Sequence, residues 1–164
     1  MRPAKTCLSA AFLVVFYSSG LLAQDSPLYR ATLKGISTVW VLIEKLPDGA
    51  KVIGLSKDTI QTDVELKLRL AGMRVVTQEE ANQLPGSPCV YVNVNFTDDA
   101  DAASASFELD QDVKLERTGQ FVPGVETWSK EVLVIRPSGQ GIRDRIKDLA
   151  DQFLNAWLSV TPRK

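Results

Sequence analysis

Residues 142–160, IRDRIKDLADQFLNAWLSV, place Ile142, Ile146, Leu149, Phe153, Trp157 and Val160 in steps of four, three, four, four and three. That is the period of an α-helix with a single apolar stripe, and such a stripe has to be covered. Residues 104–116, SASFELDQDVKLE, supply a matching surface. Ala105, Phe107, Leu109, Val113 and Leu115 alternate there with Ser106, Glu108, Asp110, Asp112, Lys114 and Glu116, and only Gln111 interrupts the dry side. Period two with one dry and one wet face describes an antiparallel strand solvated on one side. A one-sided helix and a one-sided strand in the same chain predict two layers.

The elements on either side fit that scheme. Residues 36–46 read as a strand from their β-branched and aromatic content, and Val39 to Ile43 is apolar at every position. That run predicts a central strand covered on both faces. Pro47-Asp48-Gly49 ends it as a turn. Ser56 then reads as a helix N-cap, with Ile60, Val64, Leu68 and Ala71 on the inner face and Lys57, Asp58, Gln61, Glu65 and Arg69 outside. Gly72 supplies the stop, and Met73 to Val76 is a short strand. Strand, helix, strand predicts a crossover joining parallel strands.

Thr77-Gln78-Glu79-Glu80 is a capping box for a short helix, broken by Pro85-Gly86-Ser87-Pro88. Residues 89–96 form the next strand, and a polar loop from Thr97 to Ala103 leads into the alternating one. Thr118 to Gly124 turns the chain, Val125 to Ile135 returns with Trp128, and Gly139-Gln140-Gly141 reads as a flexible turn before the last helix. The order β-α-β-(short α)-β-β-β-α predicts an α+β fold, a two-layer sandwich with a mixed sheet of about five strands and helices on one face.

The first residues have a different character. Arg2 and Lys5 precede a charge-free stretch from Cys7 to Ala23, which gives way to Gln24-Asp25. Positive start, short apolar middle and a small residue before a polar switch predict a secretory signal over 1–23, cut after Ala23. Ser18, Ser19 and Gly20 interrupt the apolar run, so it does not make the ~20-residue span of a membrane anchor. Residues 24–34 are then a loosely docked lead-in and 35–164 a single domain. Cys7 stands before the apolar run, where a lipoprotein anchor would need it after. Cys89 alone remains in the mature chain, and a secreted domain without disulfides suits a bacterial periplasm. Loss of Arg2 and Lys5, with no acid removed, takes the net charge from −1 to −3. A mildly acidic domain without basic clusters is a poor binder of nucleic acid, and none is expected as a partner.

The whole sequence contains no histidine, which removes the usual general base and the commonest transition-metal ligand. Cys89 begins an apolar strand and reads as a small buried hydrophobe. Asp98, Asp99 and Asp101 lack the Gly and Glu of a calcium loop, since Ala103 and Leu109 stand at those positions. Glu108, Asp110 and Asp112 read as one wet sheet face rather than paired catalytic carboxylates. Gly139-Gln140-Gly141 lacks the third Gly and the Lys-Ser/Thr of a phosphate loop. Trp40, Trp128 and Trp157 read as core, with a ligand cavity among them as the alternative. No residue is assigned a catalytic, cofactor-binding or metal-binding role.

The runs Gly54-Leu55-Ser56 and Lys67-Leu68-Arg69-Leu70-Ala71-Gly72-Met73-Arg74-Val75, with Thr127-Trp128 and Asp151-Gln152-Phe153-Leu154-Asn155-Ala156-Trp157-Leu158, resemble a group of uncharacterised exported bacterial proteins. The element order is also similar to small periplasmic α/β domains of envelope-assembly proteins, such as the N-terminal domain of the TolB type or the core of curli secretion lipoproteins, without the lipid-anchoring Cys of the latter. The resemblance implies a fold and a compartment, and no activity. Together these readings predict an exported, soluble, non-enzymatic domain that binds an envelope or secreted protein through an exposed sheet edge or helix face. The alternatives are a carrier of a small apolar ligand between sheet and helices and, third, a hydrolase using surface carboxylates. No cofactor and no stable membrane insertion after signal cleavage are expected.

Overall fold

Ser56, Thr77 and Ser138 each turn a side-chain oxygen back onto the following turn, accepting from the backbone N–H of Thr59, Glu80 and Gly141. They thereby satisfy donors that a helix start leaves open. The computed structural model describes residues 25–161, so the expected signal segment, 1–23, lies outside the described residues. Its elements are α1 (Pro27–Ala31), β1 (Thr38–Ile43), α2 (Gly49–Val52), α3 (Lys57–Leu70), β2 (Arg74–Val75), α4 (Gln78–Ala81), β3 (Cys89–Phe96), β4 (Ala102–Lys114), β5 (Phe121–Ile135) and α5 (Gly139–Val160).

The strands form one mixed sheet in the order β2-β1-β3-β4-β5. β1 runs parallel to both β2 and β3, because helical connections carry the chain back between them, while β3-β4-β5 is an antiparallel meander. The α+β two-layer sandwich is therefore the observed architecture. Alternation assigns the faces. Val39, Val41 and Ile43, Val90, Val92 and Val94, and Ala103, Ala105, Phe107 and Leu109 are all buried toward the helices. Against them lie Ile60, Val64 and Leu68 of α3 and the α5 stripe from Ile142 to Trp157. Each such large side chain contributes roughly 1.5–3 kcal/mol on burial. Phe153 sits at the centre, its ring 5.4 Å from Phe107 and 5.3 Å edge-on from Trp128.

Several local expectations need correction. The lead-in is held firmly rather than loosely. Asp25 accepts two hydrogen bonds from Arg30 and one from the Trp128 indole, approaches Lys130 at 3.5 Å, and Leu33 is fully buried. Gly49 opens a single helical turn where only a turn was expected. β5 starts at Phe121, inside the stretch read as a turn. Bulges between Leu109 and Asp110 and between Gln111 and Val113 end the alternation of β4, so Val113 is only half-buried and Leu115 is exposed. Gln111 donates to Thr127 Oγ1 and to the Thr32 carbonyl, fastening β4 to β5 and the lead-in. Gly139 belongs to the first turn of α5, where a Cβ would lie 2.3 Å from the Ile53 carbonyl oxygen. It is glycine for close approach, not for flexibility.

Candidate functional site: the open face of the sheet

α3 and α5 cover one face of the sheet, and residues of opposite parity stand on the other. β1 contributes Trp40 and Leu42, β3 Cys89, Tyr91 and Asn93, β4 Ser106, Glu108 and Asp110, and β5 Glu126, Ser129 and Glu131. Two cross-strand rows organise them. One runs Trp40–Cys89–Asp110–Glu126, the other Leu42–Tyr91–Glu108–Ser129. Trp40 was expected in the core. It is half-buried on this open face, whereas Trp128 and Trp157 are buried on the helix side, the latter donating to the Ile36 carbonyl at 2.7 Å. The three indoles therefore line no common cavity.

A concavity of about 380 Å³ opens where Trp40 and Leu42 meet Cys89 and Asp110, bounded by Gln78 and Asn82 on one side and by Pro123 and Gly124 on the other. Cys89 lies at its floor, nearly buried, and burial together with the Asp110 carboxylate pushes the thiol up to about 12. A thiol so protonated at neutral pH is a poor nucleophile. Tyr91 donates to Glu44 Oε2 at 2.9 Å, and burial followed by that acceptor raises its phenol to about 12.

The electrostatics of this face differ from those of the helix side. Asp63, Asp144, Asp148 and Asp151 on the helices all have a Lys or Arg partner. Among the described residues, Glu108, Asp110, Asp112, Glu126 and Glu131 have none. Three of them accept from neutral donors, Glu108 from Ser106 Oγ, Asp112 from the Gly124 N–H and Glu126 from Ser129 Oγ. Asp110 stands directly opposite Glu126 and two residues from Glu108. Burial, then Glu108 and Glu126, pushes its carboxyl up to about 6. Burial likewise raises Glu108, against the opposing Ser106 hydrogen bond, with Glu126 and Glu131 adding to the rise. Like charges opposed across a ladder destabilise it.

The other acidic stretch behaves differently. Asp99 accepts from Thr97 Oγ1 and from the Asp101 N–H, which lower its pKa and fold the β3–β4 loop on itself. No group of three or more His, Cys, Asp or Glu side chains among the described residues is placed to hold a metal ion. Among the same residues, no helix is long and apolar enough to cross a membrane. The alternation of Glu108, Asp110 and Asp112 was legible in the sequence. Glu126 and Trp40 join them only through register, which no local pattern encodes.

No family model matches the chain, and no curated protein matches it. Among solved structures it is similar to a PelC dodecamer from Paraburkholderia phytofirmans, at 14% identity and a TM-score of 0.44, over 76% of this chain and 89% of that one. At that score the likeness supports neither a function nor an assembly for this chain.

Proposed function

We propose that the protein is an exported, non-enzymatic binding domain of the bacterial envelope, and that its open sheet face takes a cationic segment of another envelope or secreted protein. One observation carries this reading: carboxylates without an ion pair among the described residues crowd beside a concavity lined by Trp40, whereas Asp63, Asp144, Asp148 and Asp151 on the helix side are paired. A partner's Lys or Arg side chains would relieve that repulsion and stack on Trp40. The open face has more support as a docking surface than a helix face does, because the apolar stripe of α5 is already covered by the sheet. Export is supported by the charge-free run from Cys7 to Ala23, and the lack of any histidine supports a role in binding rather than catalysis. The carrier alternative has less support, since Phe107, Trp128 and Phe153 fill the space between sheet and helices.

Affinity capture from an envelope extract, with native protein and a Glu108→Gln/Asp110→Asn/Glu126→Gln variant as paired baits, tests the binding face. A basic partner held by the native bait, lost from the variant and weakened between about 50 and 200 mM salt is the expected result. Equal capture by both baits would remove the open face from consideration. Cell fractionation with N-terminal sequencing tests export, with a soluble species beginning near Gln24 expected.

A further inference from the structure

The end of β1 opens into a second concavity, separate from the acidic face in both position and sign. After the buried Ile43 the chain runs through Leu46 and Pro47, makes the single turn of α2, and returns through the buried Leu55 to the start of α3. These segments enclose a cleft of about 320 Å³. Its floor is apolar, formed by Leu46, Pro47 and Leu55, and its rim carries Lys45, Lys51 and Lys57 with Asp48.

Among the described residues none of these three lysines has an ion pair, whereas Lys67, Lys130 and Lys147 do. Glu44 is near enough to feel Lys57, but its oxygens already accept from the Tyr91 hydroxyl and the Lys45 N–H. Lys57 is also the first residue of α3, where the helix dipole opposes a positive charge. Three ammonium groups against the single carboxylate of Asp48 leave a net positive rim around an apolar floor, which is complementary to an anion with an apolar body. We propose that this cleft binds a small amphipathic carboxylate of medium-chain fatty acid type, its chain on Leu46, Pro47 and Leu55 and its head group among Lys45, Lys51 and Lys57. At about 320 Å³ the cleft is at the lower end of small-ligand sites, which suits a short chain such as that of octanoate.

Octanoate titrated into the ¹⁵N-labelled native protein, followed by amide chemical shifts, tests the assignment. Saturable shifts confined to residues 45–57 are expected, with a dissociation constant near or below the millimolar range, the ordinary return from a ligand of about ten atoms. A Lys51→Gln/Lys57→Gln variant should bind at least about tenfold more weakly, with its remaining spectrum unchanged because both side chains are exposed. Octyltrimethylammonium, of equal chain length and opposite charge, should not saturate the site. Octanoate shifts dispersed over the sheet, equal binding of the cation at residues 45–57, or unaltered octanoate affinity in the double variant would each overturn the proposal. The acidic face lacks all three lysines, so the Lys51→Gln/Lys57→Gln variant tests this cleft independently of it.

Discussion

Replacing Asp110 by Asn keeps the shape of the side chain and removes its charge from the most crowded point of the open face. Burial and the neighbouring Glu108 and Glu126 carboxylates raise the Asp110 pKa from 3.8 to about 6. At about 1.4 kcal/mol per unit, a rise of roughly two units corresponds to ~3 kcal/mol of native-state penalty once the group is ionised. The carboxyl retains contact with water, so screening reduces this to about 1–2 kcal/mol. The sign follows from proton linkage. The folded protein holds this proton more tightly than the unfolded chain, so the group's contribution is fully present below about pH 4 and is lost as pH rises through about 6. Asp110→Asn should therefore unfold at higher urea than native protein at pH 8, by about 1–2 kcal/mol, and the two should converge near pH 4. Taking the difference between the two proteins at each pH cancels carboxylates with the opposite dependence, such as Asp25, whose pKa Arg30 lowers. A difference that does not change with pH, or a variant less stable at pH 8, would refute the claim that this face is electrostatically strained.

Two further perturbations probe the covered side. Phe153→Ala removes the ring between Phe107 and Trp128 at a fully buried site and should cost ~3–5 kcal/mol, and an unchanged urea midpoint would contradict the packing described for α5. Gly139→Ala should destabilise by about 1–3 kcal/mol despite alanine's better helix propensity, because the new methyl meets the Ile53 carbonyl, whereas Gly49→Ala, with open space at its Cβ, should be neutral or stabilising by up to about 1 kcal/mol. Equal effects at the two glycines in thermal unfolding would show that backbone propensity, not close approach, sets the choice at residue 139.

The layers were legible because each is written in a period that one helix or strand imposes on its own residues. The α5 stripe, the Ser56 cap and the Thr77–Glu80 box are local contacts, and they stand where the sequence places them. Trp40 was not legible, for a physical reason. An apolar run such as Val39 to Ile43 looks the same whether its second face lies under a helix or at the floor of an open concavity, and only the sheet order distinguishes them. Gln111 looked like a flaw in the dry face of β4, yet the bulges beside it turn the strand so that its amide reaches Thr127 and Thr32. Gly139 resembled a hinge because sequence does not display the Ile53 carbonyl pressed against it.

The candidate site was hidden more deeply than the fold, because its signal is a relation between strands rather than a pattern within one. Glu108 and Asp110 alternating along β4 describe any solvated sheet surface. They become unusual only when register sets Glu126 opposite Asp110, with no ion pair among the described residues reaching either. Lys130 is two residues past Trp128 on the same strand, but it points to the helix side and meets Asp25 there. The pairing of β5 thus sends its one described lysine away from the acidic face and toward the lead-in. A basic residue at the exposed position 131, opposite Ser106, would place a counter-charge on the open face without touching the core. Counter-charge is therefore geometrically available to this fold, yet no Lys or Arg among the described residues pairs with these carboxylates, which is the pattern expected when a partner supplies the cation.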